Sequence, residues 1–357
     1  MVSNDDPHLR IGRSMPGDPA LPLLAPDPVI PVTPLACRPT FSVVIATYQA
    51  AATLHQAVMS ALSQTVAARE VIVIDDGSTD GTNEVLAPLR EQIIYRRQPN
   101  RGPAAARNAA IRLATGDFVV VLDADDVYEP RRIEALTDLA VQRPDLEILT
   151  TDAFLEVNGD VVGTFFEYTR FPEADQVCEI LFRCFLFAPA VRRRRMIEVG
   201  GFDETLRVAE DWDCWIRLLS SGSVAGATTE PLIRYRIGHE SLTADYVNSL
   251  RARLTVLEGV SRLDLSPRER VALGCARRNH RRAALLAETE HALRHRRPDA
   301  RQRAVQLAWS RDMRFATRVR GLAAALAPGM AERRLARLEA TTGHSYTKRP
   351  IPARTGR

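Results

Sequence analysis

Residues 117–126 read DFVVVLDADD. Phe118 to Leu122 form a run rich in β-branched residues, which predicts a buried strand over 117–123. The strand ends in Asp123, Asp125 and Asp126. Carboxylates straight after a buried strand sit on rigid backbone, and they cost desolvation energy unless a cation or hydrogen-bond donors satisfy them. A spacing of two puts Asp123 and Asp125 on one side if the extended geometry continues. Such hard oxygen ligands suit Mg²⁺ or Mn²⁺, which one or two carboxylates commonly share with substrate phosphates. A solvated acidic turn capping the next helix would give the same letters.

Two more strands of this kind precede it, FSVVIA at 41–46 and EVIVID at 70–75, and QIIYR at 92–96 adds a third. Between them lie helical patterns: Leu54, Ala57, Val58, Ala61 and Leu62 at helical spacing, a stretch near 80–89, and a helix opened by Gly102-Pro103 that runs to about Ala114. A further helix follows Pro130. Strand, helix, strand, helix with short links predicts an α/β fold with a parallel sheet covered on both faces. Ligands of such sheets sit beyond the carboxyl ends of the strands. Thr47-Tyr48, Asp75-Asp76 and Asp123–Asp126 all fall there. Asp76 could accept hydrogen bonds from a base or ribose, or could belong to a plain turn. Arg107, early in the helix after Pro103, could hold an anion or a surface carboxylate. No GxGxxG follows the first strand and no GxxxxGK[ST] occurs, which disfavours dinucleotide oxidoreductases and P-loop enzymes.

The 357 residues are 45% hydrophobic and 26% charged, enough for a sizeable core. The net charge of +4 hides an asymmetry: residues 251–357 carry net +16 and residues 1–250 net −12. All basic residues but Lys348 are arginine, so a single arginine says little. Five cysteines without a CxxC pair fit neither a disulfide framework nor a zinc site. No apolar span and no signal peptide is visible, so a cytoplasmic protein is expected. The expected organisation is a Pro-rich, disordered leader over 1–39, a catalytic domain over 40–245, a basic helical region over 246–345 and a flexible tail over 346–357.

Farther along stand Gly200-Gly201-Phe202-Asp203-Glu204 and Glu210-Asp211-Trp212-Asp213, the latter opening a helix. Its carboxylates could be ordinary helix-terminal charge or could include a general base. Taken in order, SVVIATYQA, VIVIDDGSTDGT, NRGPAAARNAAI, GDFVVVLDADD, GGFDE, EDWDCWIRL and YRIGHESLT resemble family 2 inverting glycosyltransferases from about Phe41 to Thr243.

The resemblance implies a GT-A fold, a doubly wound mixed sheet with a C-terminal helical appendage, and transfer of a sugar from a nucleotide-diphosphate donor to an acceptor hydroxyl in bacterial glycan or polysaccharide biosynthesis. It implies nucleoside contacts from Thr47, Tyr48 and Asp76, and Arg107 near the base or diphosphate. Asp123 is similar to the ribose-side aspartate of a DxD motif and Asp125 to its metal ligand. Gly200 and Gly201 resemble an acceptor-side glycine loop, and Asp211 of the Glu210-Asp211 pair matches the catalytic base. His239 resembles a late histidine that reaches the metal or diphosphate. The chain departs from the family at Ala46, where proline is usual, and at Gln49, where asparagine is usual. It lacks the QxxRW pattern of processive synthases, which points to addition of one sugar or few. The alternative of another class is a non-catalytic nucleotide-sugar or glycan-binding module that keeps the fold.

Three features fit duller readings. His291 and His295 lie four apart on a basic helix without HExxH. The run Arg192 to Arg195 suits a phosphate or a solvated edge. The basic C-terminal region reads as helices packing Leu254, Leu257, Leu285, Leu286, Val305, Trp309, Leu322 and Leu326 inward. Its charge reads equally as attraction to an anionic bilayer carrying a lipid-linked acceptor, at the inner face of the plasma membrane. Nucleic acid ranks last, since no binding motif accompanies the charge.

Overall fold

The computed structural model describes residues 38–237 and 246–342. The first half alternates as the sequence pattern predicts: β1 (Phe41–Thr47), α1 (Leu54–Leu62), β2 (Glu70–Asp75), α2 (Thr82–Val85), β3 (Ile94–Arg97), α3 (Pro103–Leu113) and β4 (Phe118–Val121). Then come β5 (Val127–Tyr128), α4 (Arg132–Gln142), β6 (Ile148–Val157), β7 (Asp160–Thr164), α5 (Phe165–Tyr168) and α6 (Gln176–Ile180). β8 (Ala190–Arg192), α7 (Arg193–Glu198), α8 (Glu210–Ser220) and β9 (Ala225–Arg236) complete the sheet region. The expected helix near 80–89 is shorter. It stops at Val85, and Ala87–Leu89 is a separate 3₁₀ turn, because Pro88 brings no N–H to a continuing helix.

One sheet runs in the order β3-β2-β1-β4-β8-β6-β9-β5, with β7 on β6. The pairs among β3, β2, β1 and β4 are parallel, and β8 then enters antiparallel to both β4 and β6. The sheet is therefore mixed, not wholly parallel. Residues alternate cleanly between its faces. Val43, Ile45, Val71 and Val73 pack with Leu54, Ala57 and Val58 of α1. Val44, Ile72 and Ile74 pack with Ala104, Ala106 and Ala110 of α3 on the other side. Register pairs Thr47 with Asp75 and Asp75 with Arg97, so the carboxyl ends of β1, β2 and β3 form one rim.

Beyond the sheet lie α9 (Tyr246–Val260), α10 (Pro267–Arg294), α11 (Ala300–Trp309), α12 (Phe315–Leu326) and α13 (Pro328–Thr342). The 28-residue α10 starts in a capping box, Ser266 with Glu269. Val256, Leu257 and Leu273 of α9 and α10 join the core that holds Trp212 and Trp215 of α8. The expectation of inward leucines holds for Leu257 but fails farther on. Val305, Trp309, Leu322 and Leu326 are exposed. The inner faces of α11 and α12 use small residues instead: Ala304 packs with Ala324 and Ala325, and a Cβ on Gly321 would stand 2.8 Å from the backbone nitrogen of Ala308.

Among the described residues, no helix is long and apolar enough to cross a membrane.

Candidate active site

The first rim loop shows what Asp75 and Asp76 do locally. Asp75 is fully buried. It accepts from the Ser78 amide at 2.8 Å and the Tyr95 hydroxyl at 2.9 Å, so it is a structural carboxylate. Asp76 is also buried, and its oxygens accept from Gln98 Nε2 (2.8 Å), the Arg101 amide (2.9 Å) and the Gly102 amide (2.7 Å). It thereby ties the β2 end to the loop that starts α3. Beside it opens a cavity of about 460 Å³ lined by Gly77, Arg97, Gln98, Pro99 and Asn100. Gly77 has φ +86°, and a Cβ there would approach Asn100 nitrogen to 3.1 Å, so glycine is required twice over. Thr47 is buried with no partner for its hydroxyl, whereas Tyr48 is exposed at the same rim. Gln49, which departs from the family pattern, has φ +53° and accepts the Thr79 amide at 2.7 Å.

Arg107 gathers the rest. It lies on the second turn of α3, which Pro103 starts and which alanines bring close to the sheet. Its Nη2 donates to Asp123 Oδ1 at 2.7 Å, and its Nη1 donates to Glu210 Oε1 at 2.5 Å. The guanidinium is only 11% exposed and faces the Phe202 ring at 5.5 Å. Burial opposes its charge, but Asp123 and Glu210 more than offset that, and its pKa is raised. One side chain thus joins the tip of β4 to the first turn of α8. Asp211, the next residue after Glu210, also adds a favourable charge to Arg107.

At the β4 tip three carboxylates crowd together. Dehydration and then Asp123 hold the Asp125 carboxyl above its ordinary range. Asp126 is buried and accepts the Arg236 amide at 3.1 Å, and burial, Asp123 and Asp125 push its carboxyl well up. Among the described residues no three His, Cys, Asp or Glu side chains form a ready-made metal site. A Mg²⁺-type ion needs only one or two protein carboxylates when phosphates complete its shell. Mutually repelling Asp123 and Asp125 at a strand tip fit that donor set. His239 lies outside the described residues.

Next to α3, Gly200 (φ +81°) and Gly201 (φ +68°) turn the chain between α7 and Phe202. A Cβ on Gly201 would fall 2.4 Å from Asn108 Oδ1. That closeness lets Asn108 accept the Phe202 amide (2.9 Å) and donate to the Phe202 carbonyl (2.8 Å). Asn108 and its neighbour Arg107 therefore fix both halves of the site. Sequence reasoning singled out only the arginine, although NRGPAAARN contains both. Glu210 is buried, and burial raises its carboxyl while Arg107 pulls against the rise. Asp211 is exposed and accepts its neighbour's Trp212 amide at 2.7 Å. Ala209, just before them, sits at φ +63°, a left-handed conformation that costs a non-glycine residue about 1 kcal/mol or more.

The features with duller readings have local partners of their own. Arg194 and Arg195 pair with Glu147, and Arg192 lies over Phe118. The rings of His291 and His295 lie with centroids 4.4 Å apart and tilted by 46°.

Residues 42–201 match the family described as "Glycosyl transferase family 2". An uncharacterized glycosyltransferase of Rickettsia felis is 30% identical over 197 residues, 53% of this chain and 32% of its own length. The putative teichuronic acid biosynthesis glycosyltransferase TuaG of Bacillus subtilis is 26% identical over 63% of this chain and 90% of its own. The chain thus spans about a third of the length of the Rickettsia felis relative. Residues 1–349 of S. aureus TarS, solved with UDP-GlcNAc, share the fold with TM-score 0.55 at 17% identity, covering 86% of this chain and 93% of that one. With the motifs in family order along the carboxyl rim of a mixed sheet, residues 42–201 match glycosyl transferase family 2 and the fold is the GT-A fold.

Proposed function

We propose that the protein is an inverting glycosyltransferase that moves a sugar from a nucleotide-diphosphate donor to an acceptor hydroxyl in glycan or polysaccharide synthesis. Residues 40–245 are its catalytic domain and 246–345 a basic helical region. The observation that supports this reading is the bridge of Arg107 between Asp123 and Glu210, which brings the β4 tip and the start of α8 to within one side chain of each other.

Thr47, Tyr48 and Asp76 frame the nucleoside at the rim of β1 and β2. Asp76 does so mainly by holding Arg101 and Gly102, and hence the wall next to the 460 Å³ cavity. Asp123 and Arg107 face the donor's ribose and diphosphate. Asp125, with Asp123 beside it and His239 as a further ligand, would hold Mg²⁺ or Mn²⁺, which supplies charge neutralisation for the diphosphate when bound. Gly200 and Gly201 line the acceptor side. Asp211, exposed at the start of α8, takes the proton of the acceptor hydroxyl as that oxygen forms its bond to the anomeric carbon. The bond to the diphosphate oxygen breaks on the opposite face, so configuration inverts. Arg107 keeps a fixed positive charge near the leaving oxygens without reorganising. Buried Glu210 positions Arg107.

UDP-GlcNAc, the ligand in the TarS structure, heads a panel of nucleotide sugars to be screened by nucleoside diphosphate release with purified protein. Release that rises with a glycan or lipid-linked acceptor supports transfer. Donor binding without release across the panel would leave a binding module instead. Asp125→Ala should weaken Mn²⁺-dependent binding of nucleoside diphosphate by about 10-fold or more, read by calorimetry with and without the metal.

A further inference from the structure

The helix α12 is amphipathic in reverse. Phe315, Val319, Leu322 and Leu326 recur at four, three and four residues, so they fall within about 60° of one another around the helix. This stripe faces solvent: Phe315 is 79% and Leu326 74% exposed, and Val319 and Leu322 are about half exposed. The opposite side, Gly321, Ala324 and Ala325, is the buried one. Trp309 at the end of α11 (73% exposed), Val305 before it and Met330 on α13 bring more apolar surface from the neighbouring helices. Scattered exposed leucines mean nothing, but a continuous helical stripe of large apolar side chains is a site for something.

Charge identifies the occupant. Arg318 lies beside the stripe, about 40° around the helix from Leu322, Arg320 lies about 100° from Val319 on the other side, and Arg311 and Arg314 precede the helix. Asp312 is the only acid between residues 305 and 330. A second copy of the chain laid on this face would set arginine against arginine. A lipid surface with anionic headgroups meets both features at once, with aromatic and aliphatic side chains at the acyl boundary and guanidinium groups at the phosphates. The geometry points to α12, with the exposed ends of α11 and α13, as an interfacial surface that lies on an anionic bilayer without crossing it. This goes beyond the charge of the region, since it names the residues that enter the lipid. It is also independent of the reaction proposed above.

The test is flotation of the full chain with vesicles of phosphatidylcholine alone or with a third phosphatidylglycerol, without donor or acceptor. Binding to the anionic vesicles at least 10-fold above the neutral ones is expected. Leu322→Glu with Leu326→Glu, both on exposed positions, should lower that binding about 10-fold or more at unchanged helix content. Arg314→Glu with Arg320→Glu should lower it similarly and remove its salt dependence. Arg318 is left in place because its Nε donates to the Ala308 carbonyl at 3.0 Å. Equal binding to both vesicle types, no binding to either, or binding untouched by the leucine variant would each overturn the proposal. So would sedimentation of the wild-type chain as a dimer that the leucine variant dissolves, which would assign the face to a second copy.

Discussion

Two helices of similar length and alanine content, α3 (PAAARNAAIRL) and α12 (FATRVRGLAAAL), treat their neighbours in opposite ways. Each turns small residues inward and so lies close to what it packs on. In α3 the close approach also draws Arg107 and Asn108 into the interior, where Asp123, Glu210 and the backbone of Phe202 satisfy them. In α12 no ion pair forms among the described residues, and the large side chains are exposed to solvent. A helix that buries an arginine and a helix that exposes leucines both break the usual rule, and each break is where a proposal above puts a ligand.

The largest effect should separate site from surface. Asp211→Asn removes the proton acceptor but keeps size and exposure, so transfer should fall by about 10²–10⁴ while donor affinity and Tm stay close to wild type. Leu322→Glu in the same assay, with a soluble acceptor and no membrane, should leave the rate unchanged. Full turnover by Asp211→Asn would take that residue out of the mechanism. Next comes the buried pair. Arg107→Met leaves Glu210 charged without its partner, and a loss of about 3–5 kcal/mol by chemical denaturation is expected. Adding Glu210→Gln should return much of that stability but none of the activity. If the single variant were as stable as wild type, the link between α3 and α8 would carry no weight.

These partners explain how much of the molecule could be read in advance. β1 to β4 were legible because each is a short apolar run followed by a turn cluster. The parallel pairing expected of β1 to β4 holds, whereas the direction of β8 has no local signal, because it is set by β4 and β6, which lie 70 and more than 30 residues away in sequence. β5 is two residues long and exists only because β9 pairs with it. The site residues stood at strand ends, where a ligand was expected. That Arg107 would join two of them was not legible, since an ion pair between α3 and α8 leaves no local pattern. The inward placement of Trp309, Leu322 and Leu326 failed for a related reason. Periodicity says which residues share a face, but not whether that face meets protein or something else.

The inner face of α12 gives a smaller, sharper test. Gly321→Ala would place a methyl group against the backbone of Ala308 and Ala304, 2.8 and 3.0 Å from the nearest atoms. Neither helix can yield without shifting, so a loss of about 1–3 kcal/mol is expected, seen as a lower Tm. The same substitution at Gly259, whose Cβ would meet nothing within 4 Å, should be neutral or slightly stabilising. Equal outcomes would mean that α11 and α12 do not approach as closely as their alanines suggest.

The smallest effect concerns the crowded tip of β4, where Arg107 pairs with Asp123 while Asp126 is buried beside two further carboxylates. Asp126 is buried, and burial first, then Asp123 and Asp125, raise its carboxyl well above the ordinary range. The folded chain therefore holds that proton more tightly than the unfolded one. Below about pH 4 the group is protonated in both states and costs nothing. As pH rises through the gap, the unfolded chain ionises first and stability declines, until the folded group ionises too. Asp126→Asn keeps an oxygen for the Arg236 amide and offers its NH₂ to the neighbouring carboxylates, so it should escape this decline. In EDTA, the variant should match wild type near pH 4 and exceed it by on the order of 1 kcal/mol at pH 8. A saturating divalent cation should shrink that gap by favouring the ionised tip. A difference that stays constant across pH, with or without the cation, would show that Asp126 contributes only its hydrogen bond, and that the tip is not held in electrostatic tension.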